Sequence, residues 1–293
     1  MNNSSTSTNA HRTNSFDEKV FAFISSLAHQ DAGLLIPIEK ASMVFARLSK
    51  RIKILSLPNY EAYCKLLQSS EGQDERRNLI SILTTNVTSF LRENHHFDVL
   101  MQDIIPKLIE KCKDGKRARI WSAGCSTGQE PYSIAMTILS AWPQAADHDF
   151  KILATDVDPI VLDTAKAGKY PSKDISKLPT EWITKFFHTS EQDMLAVKKE
   201  AKRLIVFREL NLMHPWPFKG QFDVIFCRNV VIYFSQETQN ILWPRFENAC
   251  LPGGTMFVGH SERIELDHAP SFQMVGHTMY KRRLGMLISK NDC

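Results

Sequence analysis

From Phe16 to about Leu91, apolar residues recur at helical spacing. Val20, Phe21, Phe23, Ile24 and Leu27 share one face of a first helix. A second is predicted over 38–54, with Met43, Val44, Leu48 and Ile52 as its buried stripe. A third follows Pro58 over 59–68, and a fourth begins near Asp74 and carries Leu79, Ile80, Ile82 and Leu83. These predict a helical domain over 16–92, preceded at 1–15 by a Ser-, Thr- and Asn-rich disordered tail. A further helix over 95–112 opens a second domain, 93–293. There the pattern changes to short apolar runs near 120, 150–155, 206–210, 222–227 and 255–259, alternating with helical stretches. Continuous apolar strands of this kind are buried on both faces of a parallel sheet. A last strand pair is expected near 272–274 and 277–281. The span between the second and third strands is longer than a crossover needs. Its excess, about 168–205, predicts a small inserted subdomain, with strands near 182–188 and 196–199. The expectation is an α/β protein with a doubly wound sheet and one ligand crevice at the strands' carboxyl ends.

The stretch RIWSAGCSTGQEPY, Arg119 to Tyr132, organises that crevice. A strand ends at Trp121, Gly124 and Gly128 bracket a loop, and a helix starts near Pro131. This geometry brings backbone N–H groups up to a ligand. The spacing is neither the dinucleotide fingerprint nor the phosphate loop. Glu130 would repel a phosphate and suits a ligand with a positive end, such as the ammonium and sulfonium of S-adenosylmethionine. An ordinary strand-to-helix turn is the alternative.

Composition narrows the class without naming it. At 293 residues the chain can hold one large or two modest domains. No apolar run reaches the ~20 residues of a membrane span, and no charged start with an apolar core predicts a secretory leader. The six cysteines lie apart, with no paired spacing. That predicts reduced cytoplasmic thiols and no metal site. A net charge of +4 does not imply nucleic acid. Locally, however, Lys40, Arg47, Lys50, Arg51 and Lys53 face only Glu39 across the second helix, a surface that could steer an acidic partner. A solvated helix face is the alternative.

Other polar clusters fall where a crevice would be. Asp156 ends the second strand and can accept both hydroxyls of a ribose, while Asp158 before Pro159 can cap the next helix. Asn86, Thr88 and Arg92 are interleaved with Val87, Phe90 and Leu91. They suit a segment facing a cleft, or else a helix end with Arg92 offsetting the dipole. Arg228-Asn229 follows the strand at 222–227, and Tyr233 comes shortly after.

Taken together, TNVTSFLRE, WSAGCSTGQEPYS, ATDVD, AGKYP, FDVIFCRNVVIYF and LPGGTMFVGHSE closely resemble the chemotaxis-receptor glutamate methyltransferases, the CheR family, from Phe16 to about Arg282. The resemblance implies a Rossmann-like S-adenosylmethionine methyltransferase sheet, with an N-terminal helical domain and a small inserted β subdomain. It implies S-adenosylmethionine as cofactor and S-adenosylhomocysteine as product. The substrate would be glutamate side chains on the cytoplasmic helical bundle of chemoreceptors, and the product glutamate methyl esters. Asn86, Thr88, Arg92, Gly124, Glu130, Asp156, Asn211, Leu212, Arg228 and Asn229 would surround the cofactor. Arg92 and Tyr233 would be the catalytic neighbours, Arg92 orienting the carboxylate and Tyr233 giving it one hydrogen bond. His260 reads as structural. Arg47, Lys50, Arg51 and Lys53 would dock the acidic receptor region. Family members that tether to a receptor's C-terminal pentapeptide have a glycine-containing loop in the inserted subdomain. Here His188 to Asp193 (HTSEQD) has none, which predicts no tethering. A cytoplasmic monomer is expected, not inserted in a membrane and without nucleic acid. Competing readings are a methyltransferase for another protein or for RNA, and a cofactor-binding adaptor without turnover.

Overall fold

The computed structural model describes residues 7–191 and 193–284, with side chains from residue 18 onward. The chain forms two compact units. One holds the residues up to Thr85 together with Tyr233–Ser235, and the other holds Asn86–Ile232 and the chain from Gln236 on. The tail expected over 1–15 differs in part. Helix α1, Ser7–Ala32, already covers residues 7–15, while residues 1–6 lie outside the described residues.

The first unit is helical, with α1 followed by α2 (Ala41–Ile54), α3 (Tyr60–Gln68) and α4 (Gln73–Leu83). Val44, Leu48 and Ile52 form the buried stripe of α2 as their spacing requires, with Met43 at its margin. Asn59 caps α3 by accepting from Ala62 N at 2.9 Å, which sets its start. Two ion pairs hold the helices together. Arg76 pairs with Asp31, and Arg51 makes a two-pronged contact with the buried Glu75 at 2.9 and 2.6 Å. Tyr63 also donates to Glu75 at 2.8 Å. Burial alone would push the Glu75 carboxyl up, but bonds from Arg51, Tyr63 and Asn78 outweigh it and leave it below the usual range.

The second unit begins with Asn86–Glu93, which is not helical: α4 stops at Leu83. The expected helix over 95–112 is split into α5 (His95–Val99), a π-helical turn (Leu100–Ile104) and α6 (Ile105–Lys113). Pro106 at the head of α6 has no N–H to give, and the helix widens just before it. Then come β1 (Ala118–Ala123), α7 (Gln129–Ala141), β2 (Phe150–Asp156) and α8 (Pro159–Ala167). The inserted part is β3 (Lys169–Pro171), α9 (Ser172–Ile175), α10 (Thr180–Phe186), β4 (Phe187–Glu191), β5 (Met194–Val197) and α11 (Lys199–Arg203). It differs from expectation at Trp182, which lies on α10 and not on a strand. The chain ends with β6 (Ile205–Glu209), β7 (Phe222–Cys227), α12 (Gln236–Ala249), β8 (Cys250–Val258), β9 (Phe272–Gly276) and β10 (Met279–Arg282). Leu251 to Gly254, expected as a turn, is the irregular start of β8, where its register against β7 shifts.

The main sheet runs β6-β2-β1-β7-β8-β10-β9. Its pairs are parallel from β6 to β8 and antiparallel through β10 and β9. Sequence order reverses between β1 and β7, so the carboxyl ends of β1, β2, β6 and β7 open one crevice. A separate antiparallel sheet, β3-β5-β4, is the inserted subdomain. Lysines of that subdomain are used locally. Lys185, Lys198 and Lys202 reach carbonyls in the last turns of α7, α10 and α8, and Lys151 on β2 reaches one at the end of α11. These carbonyls have no partner within their own helix, and the lysines satisfy them.

Candidate active site

The glycine loop after β1 is built by close approach. Gly124 has φ +77°, and a Cβ there would sit 2.3 Å from Val230 Cγ2. The N–H groups of Gly124 and Cys125 both donate to Thr155 O, at 2.8 and 2.9 Å, fastening the loop to β2. Gly128, φ +97°, starts α7, and a Cβ there would meet Ala165 and the Tyr170 hydroxyl at 2.8 Å. Tyr170 donates to Thr127 O at 2.7 Å, which gives the AGKYP stretch a bracing role.

Asp156 sits where the sequence places it, at the end of β2. Its Oδ2 accepts from Ser126 N at 2.8 Å and its Oδ1 from Asp158 N at 3.0 Å. Burial pushes its carboxyl up to about 6. Asp158 caps α8 by accepting from Ile160 N at 2.9 Å, and its other oxygen accepts from Asn86 Nδ2 at 2.9 Å. Ser126 Oγ donates to Asn86 O at 3.0 Å. Asn86 is thus held to the start of α8 by its side chain and to the glycine loop by its backbone. Leu91 N donates to Ser133 Oγ at 3.0 Å, and Arg92 Nη1 to Val87 O at 3.0 Å. These bonds explain why 86–92 belongs to the second unit and not, as expected, to the helical one. Thr88, in the same segment, is half-buried. Leu91 and Glu93 both have left-handed backbone, φ 50° and 56°, on either side of Arg92. Side-chain-bearing residues hold such angles only where their surroundings dictate it.

Arg228, at the end of β7, is buried and surrounded by protein groups. It donates to Glu130 Oε2 at 2.8 Å and to Arg92 O at 2.6 Å, and faces His96 Nδ1 at 3.2 Å. Glu130 Oε1 accepts from Ser122 Oγ at 2.7 Å. Burial, then the charge of Arg228, holds the His96 imidazole down to about 3, so the ring is neutral. It accepts from Arg228 at Nδ1 and donates from Nε2 to Thr278 Oγ1 at 2.8 Å. Burial pushes the Glu93 carboxyl up, but hydrogen bonds from His260 and the Arg228 charge bring it below the usual range. His260 is therefore a partner of Glu93, in line with a structural role.

Asn211 and Leu212 lie just past β6. Asn211 Oδ1 accepts from Met213 N at 2.9 Å. Leu212 O accepts from Arg245 at 2.6 Å and Trp216 Nε1 at 3.2 Å, and the Arg245 guanidinium lies 4.3 Å from the Trp216 ring. Arg245 and Trp216 went unnoticed in the sequence, because nothing in their spacing links α12 to this turn. Glu262 was also missed. Asn229 has φ 58°, and its N–H donates to the Glu262 carboxylate at 2.8 Å. The available signal was an acid just beyond the glycine that ends a buried strand.

Two groups of expected site residues belong to the helical unit. Tyr233 belongs to the helical unit, where its carbonyl accepts from Leu35 N at 2.8 Å and Lys40 Nζ lies 5.8 Å from its ring. Of the expected docking residues, Arg47 donates to Ile82 O at 2.6 Å and Thr84 O at 3.0 Å, closing the end of α4, and Arg51 is paired with Glu75. Lys50 and Lys53 remain on the exposed face of α2.

Comparison with known proteins agrees with this division. The profile described as CheR methyltransferase, all-alpha domain, matches residues 19–84. The profile described as CheR methyltransferase, SAM binding domain, matches residues 86–281. The chain belongs to the CheR methyltransferase family. It is 46% identical over 258 residues to a probable chemotaxis protein methyltransferase of Rhizobium etli, covering 87% of this chain and 96% of the relative. It is 36% identical over 265 residues to the chemotaxis protein methyltransferase of Escherichia coli, covering 89% of each. A solved TehB-like SAM-dependent methyltransferase from Corynebacterium glutamicum is 15% identical, with a TM-score of 0.33 over 65% of this chain and 92% of that one. As a CheR protein, the chain is an S-adenosylmethionine-dependent methyltransferase of chemotaxis adaptation, and chemoreceptors are its substrates. Among the described residues, no helix is long and apolar enough to cross a membrane. The donor set fits the cofactor. Two carboxylates, Glu130 and Asp156, flank the glycine loop, and the Arg228 charge between the strand ends is already offset by Glu130.

Proposed function

We propose that this CheR protein methylates glutamate side-chain carboxylates on the cytoplasmic helical bundle of chemoreceptors, giving glutamate methyl esters. The observation that carries this is the state of the titratable groups at the sheet edge. His96 is neutral, buried and engaged at both ring nitrogens. The Cys125 and Cys227 thiols are held protonated by burial. Glu130 is engaged at both oxygens, and Asp156 by two backbone N–H groups. An amine or hydroxyl substrate would need a base to take its proton. A glutamate, with an ordinary pKa of about 4.3, is already an anion and needs none.

S-adenosylmethionine supplies an electrophilic methyl group on a sulfonium. Asp156 would hold its ribose, Asn211 and Leu212 would border the adenine, and Glu130, Arg92 and Asn229 would line the methionine part. Attack by a carboxylate neutralises charge, so a tight cation clamp on the ground state would slow the reaction. Arg92, tied to Val87 O, is suited to orienting the carboxylate without enclosing it.

Lys50 and Lys53 are the docking cations this reading keeps, since Arg47 and Arg51 serve the helical unit itself. The β4–β5 connection takes its left-handed turn at Asp193, φ 59°, and not at a glycine. That supports an enzyme that does not tether to a receptor pentapeptide; the same reading takes it as a cytoplasmic monomer. Binding of such a peptide to the free protein would contradict the absence of a tether.

The deciding experiment supplies S-adenosylmethionine carrying a labelled methyl to membranes bearing the host's chemoreceptors, then treats them with mild base. Base-released label on receptors, absent with Asp156→Ala, is the expected result. Base-stable label would exclude ester formation. Cofactor binding without receptor label would favour another substrate or an adaptor.

A further inference from the structure

Glu262 lies just beyond β8 and is 2% exposed. Its two oxygens gather five backbone N–H groups. Oε2 accepts from Gly259 at 2.5 Å and Asn229 at 2.8 Å. Oε1 accepts from Val230 at 2.8 Å, Val231 at 2.9 Å and Ile232 at 3.3 Å. Four of these donors are consecutive in the chain. They converge because Asn229 takes a left-handed backbone and a short 3-10 turn, Val231–Tyr233, follows. Left without an acceptor, these N–H dipoles, buried at Val231 and partly buried at its neighbours, would bear the desolvation of an unmade bond. A carboxylate, with four acceptor positions and a negative charge, answers them all. Gly259 allows the approach, since a Cβ there would lie 2.6 Å from Asn229 Nδ2 and 2.8 Å from Glu262 Oε2.

We propose that Glu262 is a positioning residue of the cofactor site. By collecting the N–H groups of Asn229 to Ile232, it fixes the backbone from which Arg228 and Asn229 reach the crevice. The inference rests on Arg228-Asn229 belonging to the cofactor site, as proposed above. Glutamine has the same shape but replaces one acceptor oxygen with an NH2 that would face backbone donors. Aspartate keeps the charge on a shorter stem.

The test uses the full chain, with S-adenosylhomocysteine as the probe, and compares Glu262→Gln, Glu262→Asp and Asn229→Ala. Calorimetry gives affinity, thermal unfolding gives the folded fraction, and hydrogen exchange follows individual amides. Glu262→Gln should weaken binding about tenfold or more per folded molecule, worth ~1.4 kcal/mol. Amides 229–232 should lose protection while those of β7 keep theirs, and Glu262→Asp should recover part of both. Unchanged affinity with lost protection would overturn the proposal, as would a loss no larger than the unfolded fraction. If Glu262→Gln does not fold, the wild-type protein decides. Its amides 229–232 should exchange as slowly as those of β7, and fast exchange would refute the role. Unchanged binding in Asn229→Ala would instead unseat the cofactor-site reading.

Discussion

Each unit contains a buried glutamate gripped by an arginine, and the two pairs serve different ends. In the helical unit, Glu75 takes both prongs of Arg51 and the Tyr63 hydroxyl, joining α2, α3 and α4. Arg51 keeps 23% of its side chain exposed. In the sheet unit, Arg228 is 2% exposed and divides its donors between Glu130, the Arg92 carbonyl and neutral His96. The first pair fastens elements, and the second sets the shape of a loop at the proposed cofactor site. A buried ion pair is weak evidence for stability in itself. What its remaining donors touch tells what it is for.

The comparison breaks most visibly at Arg228. Arg228→Met should lose about 3–5 kcal/mol of stability, because Glu130 is left buried and unpaired. It should also lower cofactor affinity per folded molecule by tenfold or more, read by calorimetry well below the unfolding temperature. Arg51→Met should cost less, about 2 kcal/mol, since its charge is partly in water. Turnover per folded molecule should stay as in the wild type, so a kinetic defect would erase the distinction between the pairs. The Glu75 carboxyl, held below its ordinary range, stabilises the fold above its unfolded pKa. That contribution should fade in acid as the folded group protonates, and an acid titration of unfolding should lose this part in Arg51→Met.

Asp156 has the opposite sign. Its carboxyl is raised to about 6, so lowering the pH below 6 protonates it and weakens the acceptor proposed for the ribose. Cofactor affinity should fall about tenfold between pH 7 and pH 5, and a flat profile would move ribose recognition elsewhere. The smallest effect is expected on α2. Lys50→Glu with Lys53→Glu should raise the receptor KM a few-fold at low salt and little at high salt, with cofactor affinity unchanged. Equal loss of both would refute docking there.

The sequence displayed what depends on nearby residues. The glycine loop, Asp156 with its capping neighbour Asp158, the buried strands and the α2 stripe could all be read from spacing, because each obeys a local steric or periodic rule. What it hid depends on acceptors from distant segments. Arg47, Lys50, Arg51 and Lys53 are alike in a charge run, yet two of them meet Glu75 or the carbonyls at the end of α4. Glu262 went unnoticed because its five donors come from the ends of two strands. Trp182 sat in an aromatic stretch that suits a strand equally well, and the structure starts the strand only at Phe187, after α10.

The lysines in and beside the inserted subdomain carry a practical lesson. A surface set with flexible, lysine-rich stretches is the usual target when a protein is re-engineered for crystal growth by trading long side chains for alanine. Here Lys151, Lys185, Lys198 and Lys202 close the ends of four different helices, so those trades would strip fittings from the frame. Lys173, Lys177 and Lys199, for which no such bond is seen, are the better places to prune.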